Sequence, residues 1–166
     1  MNIFATSKSP RVSARSLPDK LVVKMTLESA QMLCTALRRY MSEDYCDTLG
    51  LYKSAYVNHP CTVWARENRS NYGWLLSHFR TLCDEYTKRY NKTHACERLL
   101  LPLTVGRLSI PEGKLTPFAQ AMPDVYKNEA HTQAYRDYMV NEKHYAVWKH
   151  NEMPEWWARM RGSDVN

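Results

Sequence analysis

PDKLVVKMTLESAQML, residues 18–33, is the stretch whose reading decides the fold. Val22, Met25, Ser29 and Met32 follow an i, i+3, i+4 rhythm, which places them on one buried stripe of an amphipathic helix. Glu28 stands among these apolar neighbours. It lies seven residues after Leu21, so two helical turns bring both onto one face. A carboxylate beside an apolar stripe has to be paired, protonated or used. The plainer reading is a boundary glutamate paired with Lys24 one turn earlier.

Start signals place this helix between Ser16 and about Tyr40. Ser16 reads as the N-cap, with Pro18 in the first turn and Asp19 at the third position. Before it, residues 1–16 read as an extended basic arm carrying Lys8, Arg11 and Arg15. After it, SEDYCDTLG (42–50) reads as an acidic connection ending at Gly50. Asn58, His59 and Pro60 mark a second helix start with Pro60 at its first position, and Ser70 reads as a restart or kink. From Trp74 to Tyr90 the residues Leu75, Phe79, Leu82, Cys83 and Tyr86 lie along one face. HACERLLLPL (94–103) predicts a short helix ending before Pro102. The proline-rich residues 102–130 read as an ordered loop. Gln133–Trp148 reads as another amphipathic helix, and PEWWARMRG (154–162) as a short aromatic C-terminal segment. No strand alternation appears. The expectation is an all-α protein, residues 1–166 forming one compact helical bundle, with the 18–40 and 74–91 helices at its centre.

The chain carries 23 Lys and Arg against 17 Asp and Glu, a formal charge of +6, which favours a polyanionic partner such as nucleic acid. The five cysteines are odd in number, widely spaced and free of CxxC pairs, so reduced thiols in a cytoplasmic protein are expected rather than a disulfide framework or zinc ribbon. No signal-peptide core and no apolar run of membrane-spanning length is apparent. The six histidines form no HExxH, and there is no GxSxG, Walker loop or GxGxxG. No metal and no cofactor is expected.

Aromatic and basic residues interleave most clearly in NHPCTVWARENRSNYGWL (58–75), and again in WKHNEMPEWWARMR (148–161). Cations suit phosphates, and flat side chains suit displaced bases. The residues expected to bind substrate are His59, Trp64, Asn71, Tyr72, Lys20, Lys24, Arg66 and Arg69. His59, Trp64, Asn71 and Tyr72 are expected to line one cleft with Glu28. One chemistry needs neither metal nor cofactor. A neutral amine attacks C1′ of a nucleotide, expels the base and forms a Schiff base, while a carboxylate moves protons. A chain's α-amine, with a reference pKa of about 7.7–8.0, keeps a useful neutral fraction.

At these residues the chain resembles the pyrimidine-dimer DNA glycosylases, or endonuclease V family. Two ordered blocks over roughly residues 1–95 carry the resemblance. The first is Met1-Asn2-Ile3-Phe4, then Lys20-Leu21, then Glu28 at the seven-residue step. The second is Asn58-His59-Pro60, Trp64, His78, Leu82, Glu85 and KRYN at 88–91. The resemblance implies a compact helical DNA-acting enzyme with its N-terminal amine as nucleophile and Glu28 as catalytic acid/base. Asn2 is large enough that Met1 is expected to be retained, so its own amine is the candidate. The chain departs from the family pattern in four places. Leu21 stands for the histidine of the pair, Leu27 and Gln31 for arginines flanking the glutamate face, and Asn2 for an arginine near the amino terminus. These departures bear on dimer recognition more than on amine–glutamate chemistry. Over its whole length the chain also resembles phage-encoded proteins with motifs such as DKLVVKMTLESAQ (19–31), NHPCTVWAR (58–66) and FAQAMPDVYK (118–127).

Three functions follow as expectations. The first is a glycosylase/AP-lyase-type enzyme acting on DNA bases. The second is a phage transferase that modifies bases on the same scaffold. The third is a non-catalytic phage protein that binds DNA or inhibits a host defence factor, which would bring in a host protein partner.

Overall fold

The computed structural model describes residues 1–162. Among them every regular element is helical: α1 (Pro10–Arg15), α2 (Asp19–Arg38), α3 (Glu43–Thr48), α4 (Pro60–Glu67), α5 (Arg69–Tyr90), α6 (Leu100–Gly106), α7 (His131–Glu142) and α8 (Glu155–Met160). Short 3₁₀ turns at Ala95–Leu99, Arg107–Ser109 and Asp124–Tyr126 join them. The all-α reading holds, and α2 against α5 forms the centre. Leu21, Val22, Met25, Met32, Leu33 and Leu37 of α2 are buried, as are Leu75, Phe79 and Leu82 of α5. No helix among the described residues is long and apolar enough to cross a membrane.

The N-terminal segment is not a solvated arm. Asn2, Ile3, Phe4, Ala5 and Thr6 are buried, because three consecutive apolar side chains gain more from the core than from water. Ser9 then caps α1, accepting the Val12 amide. Ser16 closes α1 rather than opening α2, and its hydroxyl donates to the Ser13 carbonyl. Pro18 takes the N-cap of α2 without a side-chain bond.

The acidic connection contains α3, which Gly50 follows in left-handed conformation (φ 66°). The helical break before α5 falls at Asn68, not Ser70. Asn68 is extended, and its side chain accepts the Ser70 and Asn71 amides. Pro102 does not stop a helix. It sits in the first turn of α6, where a missing N–H leaves nothing unpaired. Gly106 lets α6 close on α2, since a Cβ there would lie 2.5 Å from Leu37 Cδ1. α7 ends at Glu142 because the following chain caps α2 instead. The Asp19 amide donates to the Val147 carbonyl at 2.9 Å, and the Lys149 amide donates to Asp19 Oδ2 at 2.8 Å.

Arg89 fixes this junction. Its buried guanidinium pairs with Asp19 (3.1 Å) and Glu85 (2.9 Å) and donates to the Leu17 and Arg15 carbonyls. All five cysteines are free and buried, and burial pushes the Cys61 and Cys83 thiols up to about 12. They are core residues. Among the described residues no group of three or more His, Cys, Asp or Glu could hold a metal ion.

His78 is wholly buried, stacked on Trp74 with ring centroids 5.2 Å apart, and neither ring nitrogen has a partner. Burial pushes its pKa down to about 3, against 6.5 unfolded. Below 6.5 the unfolded chain takes up a proton that the fold refuses. Its contribution is therefore intact above pH 6.5 and shrinks by about 1.4 kcal/mol per pH unit as the pH falls toward 3. Urea unfolding at pH 7 and pH 5 should show a stability loss about 2 kcal/mol larger in the wild type than in His78→Phe. Equal slopes for the two proteins would show that His78 does not titrate this way.

Candidate active site

The chemistry gathers where the buried N-terminal segment meets α2. The Met1 α-amine lies 3.4 Å from Glu28 Oε2, and the Met1 side chain is only 1% exposed. Lys24 Nζ lies 3.6 Å from the other oxygen of Glu28, Oε1. The pairing with Lys24 is thus present, but it is shared. Oε2 is buried with no formed hydrogen bond, so its one close charge is the α-amine. A carboxylate held this way can accept or return a proton without first breaking a hydrogen bond.

The backbone is bent to bring the amine there. Asn2 Oδ1 accepts the amides of Ile3 (2.8 Å) and Phe4 (3.0 Å), a local Asx turn. Its Nδ2 donates to the Ala121 carbonyl at 2.8 Å, tying the terminus to the loop before α7. Phe4 takes a left-handed conformation (φ 39°), at a cost of about 1–2 kcal/mol for a residue with a Cβ. Its ring lies parallel to that of Tyr138, 6.2 Å away, which holds the strained turn in place. The sequence signal for this device is an Asx-turn former followed at once by an apolar run.

A cavity of about 230 Å³ opens on the pair. Met1, Lys24, Glu28, Tyr138, Lys143 and Tyr145 are among its walls. Lys143 Nζ donates to the Tyr138 phenol at 3.0 Å and lies 4.5 Å from that ring's centroid. Lys20 sits over Tyr145 at 5.6 Å. Three different cations therefore face or flank one small cavity, as an anionic sugar-phosphate would require. Tyr138, Lys143 and Tyr145 escape sequence reasoning, because helical periodicity cannot say that the end of α7 folds back over the start of α2.

Of the four residues expected beside Glu28, none is in the wall of this cavity, and His59 is the one whose ring feels the charges of the pair. It caps α4, with Nδ1 accepting the Cys61 amide at 3.2 Å, so in the neutral ring Nε2 carries the proton. Burial first, and then the charge of the α-amine, lower its pKa, while Glu28 raises it. The ring therefore stays neutral at neutral pH and senses both groups of the pair.

The other three do other work. Tyr72 is fully buried, its hydroxyl donating to the Leu103 carbonyl at 2.9 Å. It faces α6 from within the core, so the cleft role is corrected. Trp64 packs in the core against Trp74 and Phe118, with centroids 5.9 and 5.6 Å apart. It borders a separate cavity of about 460 Å³ with Pro60, Glu67 and Pro117. Asn71 is buried and straps down the 110–118 segment, donating to Thr116 Oγ1 (2.8 Å) and accepting the Thr116 amide (3.0 Å).

Lys20 and Lys24 are exposed and flank the cavity. Arg66 donates to the Val57 carbonyl at 2.6 Å. Arg69 is spent on its own fold, donating to the Ile110 and Leu108 carbonyls and pairing with Glu112 at 2.9 Å.

An amine beside a carboxylate at the mouth of a cationic cavity has the groups that nucleophilic attack by nitrogen needs. Residues 1–98 match the family model described as pyrimidine dimer DNA glycosylase, and the chain belongs to that family. The matched span runs from Met1 through α5 into the Ala95–Leu99 turn and holds both members of the pair. Neither a curated protein nor a solved structure matches the chain.

Proposed function

We propose that this chain, with Met1 as its first residue, is a DNA base-excision enzyme that cleaves a glycosidic bond through its α-amine and can go on to act as an AP lyase. The approach of the Met1 amine to Glu28, within a family of DNA glycosylases, carries this reading.

Glu28 takes a proton from the α-ammonium, leaving a neutral nucleophile. The amine forms a bond to C1′ as the C1′–N glycosidic bond breaks, and the proton Glu28 has taken passes through water to the departing base, which leaves Glu28 a carboxylate again. The attacking nitrogen loses its remaining surplus proton to Glu28. Opening of the sugar C1′–O4′ bond then gives the Schiff base, with Glu28 returning a proton to O4′. Lys24 and Lys143 hold the flanking phosphates, and His59 offers its Nε2–H to sugar or base.

The family's usual arginines are absent. The Asn2 side chain is engaged by the N-terminal turn and Ala121, and Leu27 and Gln31 bring no charge to α2. The base removed is therefore recognised by means other than those arginines.

The direct test is borohydride reduction in the presence of DNA containing an abasic site. A covalent protein–DNA adduct is expected. Absence of an adduct, with binding intact, would favour a base-modifying transferase or a binding protein.

Binding itself should be strongly salt-dependent. About four phosphate contacts, from Lys20, Lys24, Arg66 and Lys143, imply about a hundredfold weaker binding at 200 mM salt than at 50 mM. Replacing Lys20 and Lys24 together with Ala should reduce the salt slope by about 2 and weaken binding to all sequences alike. A slope that does not change would take these two lysines out of the interface.

A further inference from the structure

With Trp64 and Tyr72 in the core, the flat side chain that would hold a duplex open must come from elsewhere. Tyr56 stands out. It exposes 69% of its surface, against 40% for Tyr40, 51% for Tyr45 and 43% for Tyr145. Its backbone is left-handed (φ 50°), a conformation that residues with a Cβ rarely adopt. Its neighbour Val57 is exposed as well. An exposed aromatic gains little in the free protein from being held in a strained turn.

The turn is nevertheless braced on three sides. Ala55 exchanges two hydrogen bonds with Thr35 of α2, its amide donating to Thr35 Oγ1 at 3.0 Å and its carbonyl accepting at 3.3 Å. The Tyr56 carbonyl accepts the His59 amide at 3.0 Å. The Val57 carbonyl accepts Arg66. This is a strained, apolar tip held rigid from both flanks, which is the form that stored strain takes at functional sites.

Its position ties it to the cavity. Thr35 lies seven residues after Glu28 on α2, two turns along one face and about 10 Å along the axis. His59, three residues after Tyr56, senses both the α-amine and Glu28.

We propose that the Tyr56–Val57 tip is a wedge for duplex DNA, with the Tyr56 ring entering the base stack where a nucleotide has been turned out toward the Met1–Glu28 cavity. The proposal rests on the DNA-acting reading above and assigns the part of it that a duplex needs and a single strand does not. A base whose stack is broken needs a replacement partner, and a phenol ring supplies one with sequence tolerance. Arg66 sits beside the tip to meet a phosphate, and Tyr56 needs no rearrangement to insert.

The test uses the full chain with a duplex carrying a stable abasic analogue next to 2-aminopurine, and the matching single strand. Wild-type protein should raise 2-aminopurine fluorescence in the duplex. Tyr56→Gly should abolish that rise and weaken duplex binding about tenfold. It should bind the single strand, and form a borohydride adduct with a true abasic single strand, as the wild type does. Tyr56→Phe should keep every property. Glycine accepts φ 50° without strain, so Tyr56→Gly should melt no lower than wild type; a lower melting temperature with an unchanged fluorescence rise would mark a structural tyrosine and overturn the wedge. Equal fluorescence and equal duplex affinity in wild type and Tyr56→Gly would also overturn it. A Tyr56-dependent fluorescence rise without any borohydride adduct would uphold the wedge and reject the amine chemistry. No binding of either DNA by the wild type would reject both.

Discussion

Glu28→Gln should give a folded protein that still binds abasic DNA within about tenfold of wild type but turns over about 10²–10⁴-fold more slowly. The substitution keeps the shape and removes the ionisable group. The amide oxygen can still face the Met1 amine, and the amide nitrogen can be hydrated on the part of the side chain that remains 12% exposed. What it cannot do is take the proton that must leave the attacking nitrogen, or deliver one to O4′. The loss should therefore fall on turnover rather than on binding. Lys24→Ala separates this from simple loss of charge at the site. It removes the other ion pair of Glu28, whose lysine partner is 67% exposed, and should leave turnover within a few-fold. Full activity of Glu28→Gln would reject the mechanism. Unfolding of Glu28→Gln in a protein without turnover would make Glu28 the structural partner of a buried terminus.

Much of this site was legible in the sequence, and what escaped did so for identifiable reasons. Glu28 stood out because periodicity fixes which face of a helix a residue occupies, and the acid fell beside the apolar stripe. His59-Pro60 is legible as a helix start, because capping chemistry is local. Tyr72, Trp64 and Asn71 went the other way. A cluster of aromatics and an amide reads the same whether it faces a base or a neighbouring helix, and here α6 and the 110–118 segment occupy the face in question. Arg69 looks like a phosphate ligand in one dimension, yet it straps a loop, donating to the Ile110 and Leu108 carbonyls. Lys143 and Tyr138 had no signal at all. They lie more than a hundred residues from Met1 and reach it only because Asp19 draws residues 147–149 over the start of α2.

The N-terminal amine gives the most decisive prediction. Placing Gly-Ser before Met1 should eliminate the borohydride adduct and reduce turnover by at least about 10³-fold. The Met1 side chain is buried and its nitrogen faces a carboxylate across 3.4 Å, so an amide there removes both the charge and the nucleophile. The Asn2 turn and the strained Phe4 backbone fix the terminus on both sides, which leaves the added residues no route inward except by displacing it. The same change deprives Glu28 Oε2 of its close partner, so stability should also fall, by about 1–3 kcal/mol. On a chain of this size that is a melting shift of several degrees, small enough for the fold and DNA binding to survive. Two lysines in the cavity wall offer an alternative amine for the Schiff base, and they set the control. Lys24→Ala and Lys143→Ala should each keep the adduct, and tryptic digestion of the wild-type adduct should place the DNA on the peptide ending at Lys8. An adduct mapped to a peptide that contains Lys24 or Lys143, or one formed undiminished by the extended chain, would move the nucleophile to a lysine. The bent terminus would then serve only to hold Glu28 in place.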